Sequence, residues 1–205
     1  MCVICISKKG VRQPSHEEIV NMFENNPHGA GYMYARNGKV YIHKGFMDMA
    51  EFEACVNDEH FTKKDSVVYH FRISTQAGVK PEMTHPFPLE PDMKYAEELD
   101  VACSCGVAHN GVIRMTSGND KRYSDTALFI PYLWKLIRND NDLHDERVLE
   151  MAERLAGSKL AIMGRDGYVA TVGDFIDNDG LLFSNSSYKP YEFTSRNVKN
   201  LWALL

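Results

Sequence analysis

The sequence predicts an α+β protein built on antiparallel sheets, and three observations carry that reading. Short runs rich in β-branched and aromatic residues, bounded by turn dipeptides, occupy both ends of the chain. Two capped, helix-length segments lie next to each other at 124–156. Strands and helices do not alternate as βαβ units require, so helices packed on antiparallel sheets are expected. The 205 residues form one layered domain on this reading, spanning 1–205 and long enough to bury about 70% of the unfolded surface.

The first element is the run Met1-Cys2-Val3-Ile4-Cys5-Ile6-Ser7, a strand too short for a signal peptide because its apolar part breaks at Ser7-Lys8-Lys9. Ser15 and Glu18 form a capping box that opens a helix with Ile19, Val20, Met22 and Phe23 on its apolar face, stopped at Asn25-Asn26-Pro27. His28-Gly29-Ala30-Gly31 then turns into a strand at 32–35. Arg36-Asn37-Gly38-Lys39 reads as a hairpin turn that returns through Val40, Tyr41 and Ile42. A second capping box, Asp48 with Glu51, opens a short helix with Phe52, Cys55 and Val56 inward. Residues 66–71 form a strand, followed by an irregular stretch to about residue 100 that holds four of the eight prolines. Residues 101–108 read as one strand ending at His109-Asn110-Gly111. Helices are expected from Ser124 to about Arg138 and from about Asp145 to Ala156, the second closed by Gly157. Strands at 159–163, 168–172, 173–176 and 181–184 follow, with turns at Asp166-Gly167 and Asp179-Gly180; the tail holding Trp202 shows no period.

Composition excludes several function classes. Apolar residues make up 44% and charged residues 25%, the balance of an ordinary globule. The net charge is −5, and no basic run exceeds two residues, so no nucleic-acid surface is expected. No apolar run approaches membrane-spanning length, so no membrane partner is expected. Five cysteines (2, 5, 55, 103 and 105) without a secretory signal point to reduced thiols and a cytoplasmic location.

Chemistry-bearing residues gather at strand ends: Cys2, then Arg72 to Thr75, then His109-Asn110-Gly111, then Ser124-Asp125-Thr126. Removal of Met1 would place a thiol and a free α-amine together on Cys2, the amine able to serve the thiol as base. Each residue also has a plain structural reading. Cys2 can be a buried strand residue, Arg72 a surface ion pair, Asn110-Gly111 a turn, and Asp125 a helix cap.

Six motifs together resemble a known family. Met1-Cys2-Val3-Ile4, His28-Gly29-Ala30-Gly31-Tyr32, Arg72-Ile73-Ser74-Thr75, Thr84-His85-Pro86-Phe87, Ala108-His109-Asn110-Gly111-Val112-Ile113 and Ser124-Asp125-Thr126 follow the order of the class II glutamine amidotransferase domain, over residues 2 to about 190. That family consists of N-terminal-nucleophile (Ntn) hydrolases, and the resemblance implies a four-layer αββα sandwich with two antiparallel sheets. It implies Cys2 as the nucleophile attacking the glutamine side-chain amide to form a γ-glutamyl thioester. Asn110 (side-chain amide) and Gly111 (backbone N–H) correspond to the oxyanion donors. Arg72 corresponds to the residue that grips the substrate carboxylate and Asp125 to the one that holds its ammonium group, with Thr75 a further hydroxyl contact. His85 belongs to a His-Pro motif, read as shaping its loop.

The chain departs from the family at two places, with Val3 where glycine is usual and Gln76-Ala77 where many members have His-Gly after the threonine. No metal or cofactor is expected. The sequence shows no synthase domain, so ammonia is expected to pass to a separate acceptor enzyme or to be released. Three alternatives remain open. They are a hydrolase of another γ-glutamyl amide on the same fold, a non-catalytic binding subunit, and a four-thiolate zinc module from Cys2, Cys5, Cys103 and Cys105, the last pair sharing one face if the strand is continuous.

Overall fold

Strand β1 (Val3–Ser7) is buried at every position, which explains its unbroken apolar character. Successive side chains point to opposite faces, and here both faces are covered. Val3 and Cys5 pack with helices on one side, while Ile4 and Ile6 face the second sheet. The computed structural model describes residues 1–74, 77–118 and 120–190. After β1 come α1 (His16–Asn25), β2 (Ala30–Arg36), β3 (Lys39–Phe46), α2 (Met49–Asp58) and β4 (Val67–Phe71). Then follow β5 (Phe87–Pro88), β6 (Asp100–Cys103), β7 (Cys105–Asn110), α3 (Asp125–Leu136) and α4 (Glu146–Ala156). The described chain closes with β8 (Lys159–Gly164), β9 (Val169–Val172), β10 (Ile176–Asn178) and β11 (Leu181–Phe183).

The protein is mixed α+β with two antiparallel sheets. One has seven strands in the order β10-β11-β1-β4-β2-β3-β6, the other four in the order β5-β7-β8-β9. Three apolar clusters match an arrangement of stacked sheets. Ile4, Ile6, Met33 and Ile42 of the larger sheet meet Ala108, Ala161 and Met163 of the smaller. Ile19, Met22 and Phe23 of α1 and Phe52 of α2 pack on the other face of the larger sheet, against Tyr32, Phe71 and Phe183. Ala127, Phe129 and Leu133 of α3, with Ala152 and Ala156 of α4, pack on Val107, Leu160 and Ile162. Full burial of each large side chain contributes about 1.5–3 kcal/mol.

Local signals explain most boundaries. The Ser15–Glu18 capping box forms in both directions, and Gly157 ends α4 in the left-handed conformation with φ 60°. Asp48 accepts from the Ala50 and Glu51 backbone N–H groups, so the Asp48 half of the second box caps α2. Arg36 pairs with Lys39 across Asn37-Gly38, both at positive φ, as a two-residue hairpin turn requires.

Three expectations need correction. Residues 101–108 are not one strand. The chain leaves β6, paired with β3 in the larger sheet, and after Ser104 enters β7, paired with β5 and β8 in the smaller. Cys103 therefore lies between the sheets and Cys105 under the α3–α4 helices, so the two do not share a face. The strand expected at 173–176 is displaced to β10, which pairs with β11 across Asp179-Gly180. The proline-rich stretch is also less irregular than expected. It carries β5 and two short 3-10 turns, and the buried Lys44 amine donates to the Glu82 and Ala96 carbonyls (2.9 and 2.7 Å), fixing it to β3. The tail holding Trp202 lies outside the described residues.

Candidate active site

Antiparallel pairing brings the first site residues together. β1 and β4 pair Val3 with Phe71, so the next position outward sets Cys2 beside Arg72 at the sheet's end. The Cys2 Sγ is held by the backbone of Ile73, whose N–H donates to it (3.3 Å) and whose carbonyl accepts from it (3.4 Å). Asn185 Nδ2 donates to the Cys2 carbonyl at 2.6 Å. Burial pushes the thiol pKa up, and the Ile73 hydrogen bond and the Arg72 charge only partly offset this. The thiol is therefore protonated at neutral pH and needs a base before it can attack.

Arg72 is buried, and its Nη1 donates to the Gly78 carbonyl at 2.9 Å. The His28-Gly29 turn clamps its backbone. His28 N–H donates to the Arg72 carbonyl (2.9 Å), Arg72 N–H donates to the Gly29 carbonyl (2.8 Å), and Ser74 N–H donates to His28 Nδ1 (2.9 Å). Gly31, two residues on, has no room for a Cβ because the His85 carbonyl oxygen sits there. That close approach lets the loop bearing His85 reach the site.

From the smaller sheet, β7 delivers His109, Asn110 and then Gly111. Gly111 has φ 145°, and an added Cβ would lie 2.5 Å from Ser158 Cβ, so the position accepts only glycine. Asp125 stands at the first turn of α3, where a carboxylate complements the helix dipole. Its Oδ2 accepts from Ile113 N–H (2.7 Å) and its Oδ1 from Thr126 N–H (2.9 Å). Cys2, Arg72, His85, Gly111 and Asp125 line one cleft, together with Ile73, His109 and Ser124. Its enclosed space is about 20 Å³, room for one water.

Two expected site residues stand differently. Asn110 is buried beside Gly111, but its Nδ2 donates to Ser184 Oγ (2.8 Å), while its Oδ1 has no hydrogen-bond partner among the described residues. Thr75 lies outside the described residues. Sequence reasoning also passed over Ser184 and Asn185, which follow β11 and touch Asn110 and Cys2, and it gave no role to His28 or His109. Only pairing across the sheets reveals the first two.

Three neutral histidines support the cleft. Ser158 Oγ donates to the Ala156 carbonyl, so His109 Nε2–H donates to Ser158 (2.8 Å), and His109 Nδ1 accepts from Thr126 Oγ (2.7 Å). His70 Nε2–H donates to the His109 carbonyl at 3.0 Å, and His85 Nδ1 lies 2.7 Å from the same nitrogen. Burial pushes the His70 pKa down to about 3 and that of His109 to about 4, and it lowers that of His85 as well. In the unfolded chain these rings bind protons near pH 6.5. Between pH 6.5 and about 4 the unfolded state therefore holds more protons, and stability falls as the pH drops. Each such ring contributes a slope of about 1.4 kcal/mol per pH unit. Urea unfolding at pH 7.5, 6.5 and 5.5 should show a midpoint that falls modestly over the first step and about three times as far over the second. An equal midpoint at 6.5 and 5.5 contradicts this assignment.

Among the described residues no three His, Cys, Asp or Glu side chains are grouped to hold a metal. The four thiols of the zinc alternative are dispersed. Cys2 is in the cleft, Cys5 under α1, Cys103 between the sheets and Cys105 beneath α3 and α4. The four-thiolate module is therefore not assembled. No protein-family model and no curated protein matches the chain.

Proposed function

We propose that the protein is a glutamine amidotransferase or glutaminase of the N-terminal-nucleophile type. The observation that carries this reading is the cleft in which the Cys2 thiol meets Arg72, Gly111 and Asp125, groups drawn from both sheets and a helix start. The order of helices, larger sheet, smaller sheet and helices supports the four-layer αββα architecture that goes with it.

With Met1 removed, the α-amine belongs to Cys2 and takes the thiol proton as Sγ attacks the glutamine side-chain carbonyl. The Gly111 N–H and the Asn110 amide stabilise the oxyanion. Collapse passes the proton to the leaving nitrogen and releases ammonia, leaving the γ-glutamyl thioester. Water then attacks the thioester, glutamate departs, and the thiol is restored. Arg72 suits the substrate carboxylate because its guanidinium donates two parallel hydrogen bonds. Asp125 supplies the counter-charge for the ammonium group. The space in the cleft is smaller than glutamine, so the cleft must widen as substrate enters. The ammonia passes to a separate acceptor enzyme or is released.

Asp125→Asn keeps an oxygen for the Ile113 N–H while it removes the charge and the acceptor of the Thr126 N–H. It should raise KM for glutamine at least about tenfold, the loss of a charged hydrogen bond of about 1.5–3 kcal/mol, with a smaller change in kcat. An unchanged KM removes Asp125 from substrate binding. In the same assay, faster amine release from a γ-glutamyl alkylamide than ammonia release from glutamine keeps the nucleophile and replaces the substrate.

A further inference from the structure

The Asn110 amide raises a problem that its surroundings resolve. As oriented, Nδ2 donates to Ser184 Oγ and the buried Oδ1 has no partner among the described residues. The Asn110 donor is then engaged with Ser184 and is not available to an oxyanion beside Gly111. Ser184 is fully buried at the end of β11. Its Oγ accepts from the Ile4 N–H of β1 (2.8 Å), its N–H donates to the Ile4 carbonyl (3.0 Å), and its carbonyl accepts from Lys159 Nζ (2.7 Å). With Ile4 and Asn110 both donating to it, the Ser184 hydroxyl hydrogen has no acceptor among the described contacts.

A 180° rotation of the Asn110 amide removes both deficits. Ser184 Oγ still accepts from Ile4 N–H and now donates to Asn110 Oδ1. The buried oxygen gains its partner, and Nδ2 moves to the position where Oδ1 stood. The rotated pairing satisfies Oδ1 and the Ser184 hydroxyl hydrogen and leaves Nδ2 to be satisfied by the oxyanion as it forms. We propose that Ser184 is a positioning residue: its hydroxyl holds Asn110 Oδ1, and so turns Nδ2 into a donor for the oxyanion formed at Cys2. The pair also joins the nucleophile's strand to the end of β7, because Ser184 is bonded to β1 on one side and to Asn110 on the other.

This inference rests on the Cys2 nucleophile reading, and a double-mutant cycle separates the two. Ser184→Ala should lower kcat about 10- to 100-fold with KM within about twofold, the size expected when an oxyanion donor is misplaced rather than deleted. On an Asn110→Ala background the same change should cost no more than about threefold, because the residue it positions is gone. Loss of the Ile4 contact alone would slow both backgrounds equally, so equal fold losses, or a Ser184→Ala variant as fast as the parent, overturn the proposal. The cycle is read both with glutamine and with p-nitrophenyl acetate, which acylates a thiol through an oxyanion whatever amide is the natural substrate. Activity on the ester with none on glutamine removes glutamine and still decides the role of Ser184. Absence of Cys2 acylation by the ester overturns the nucleophile reading and this proposal with it.

Discussion

Cys2→Ala is expected to lower glutamine hydrolysis by at least about 10⁴-fold while the chain keeps its fold. The first half follows from chemistry, because every covalent step begins and ends on Sγ, and deleting the nucleophile of a comparable hydrolase leaves only oxyanion and binding effects. The second half follows from packing. Cys2 is half-buried and precedes β1, whereas the residues that anchor that strand, from Val3 to Ser7, are untouched. The thiol gives up only its two contacts with the Ile73 backbone, so the unfolding free energy should change by no more than about 1 kcal/mol. Cys2→Ser is a stricter variant. It keeps a hydroxyl near Ile73, and since a neutral hydroxyl is the weaker nucleophile, activity should still fall by orders of magnitude. Hydrolysis retained in Cys2→Ala contradicts the account.

Gly111→Ala carries the second large effect, this time on fold and activity together. At φ 145° the backbone is in a region that L side chains avoid, at a cost of about 1–3 kcal/mol. The new Cβ would also stand 2.5 Å from Ser158 Cβ, and Ser158 is the acceptor for His109 Nε2–H. Relief of that overlap must move either the 111 backbone or the Ser158–His109 pair, and overpacking adds about 1–3 kcal/mol. The Gly111 N–H is the proposed oxyanion donor, so the shift should also lower kcat by about 10²–10³-fold with little change in KM. Urea unfolding and steady-state kinetics read the two effects separately. A variant within twofold of the parent in kcat removes the Gly111 N–H from the mechanism.

Much of this arrangement was legible in the sequence because its signals are local. The Ser15–Glu18 box, the Asn37-Gly38 turn and the Gly157 stop each act within a few residues, and each defines a boundary in the structure. Arg72, Gly111 and Asp125 stood out for the same reason, as polar or glycine positions just past an apolar strand or at a helix start. The misreadings share the opposite cause. Residues 101–108 look continuous because both β6 and β7 carry apolar residues, and nothing near Ser104 tells that the chain there passes from one sheet to the other. The stretch before residue 100 reads as irregular because what holds it is distant in sequence: the buried Lys44 amine of β3 donates to the Glu82 and Ala96 carbonyls. Ser184 and Asn185 escape local reading altogether. Their partners, Asn110 and Cys2, are 74 and 183 residues away. Asn110 itself was picked out by its dipeptide, but the direction of its amide is set by Ser184, which no local pattern reveals.

The central claim is that Cys2, freed of Met1, is the one reactive thiol of the chain. Treatment with a diazo-ketone analogue of glutamine, followed by intact-mass and peptide-mass measurement, tests it most directly. The account predicts a mature chain lacking Met1 that takes up a single analogue on Cys2 and loses hydrolysis in step with labelling. Full hydrolytic activity in chains that retain Met1, or labelling at Cys5, Cys55, Cys103 or Cys105 in place of Cys2, would contradict it.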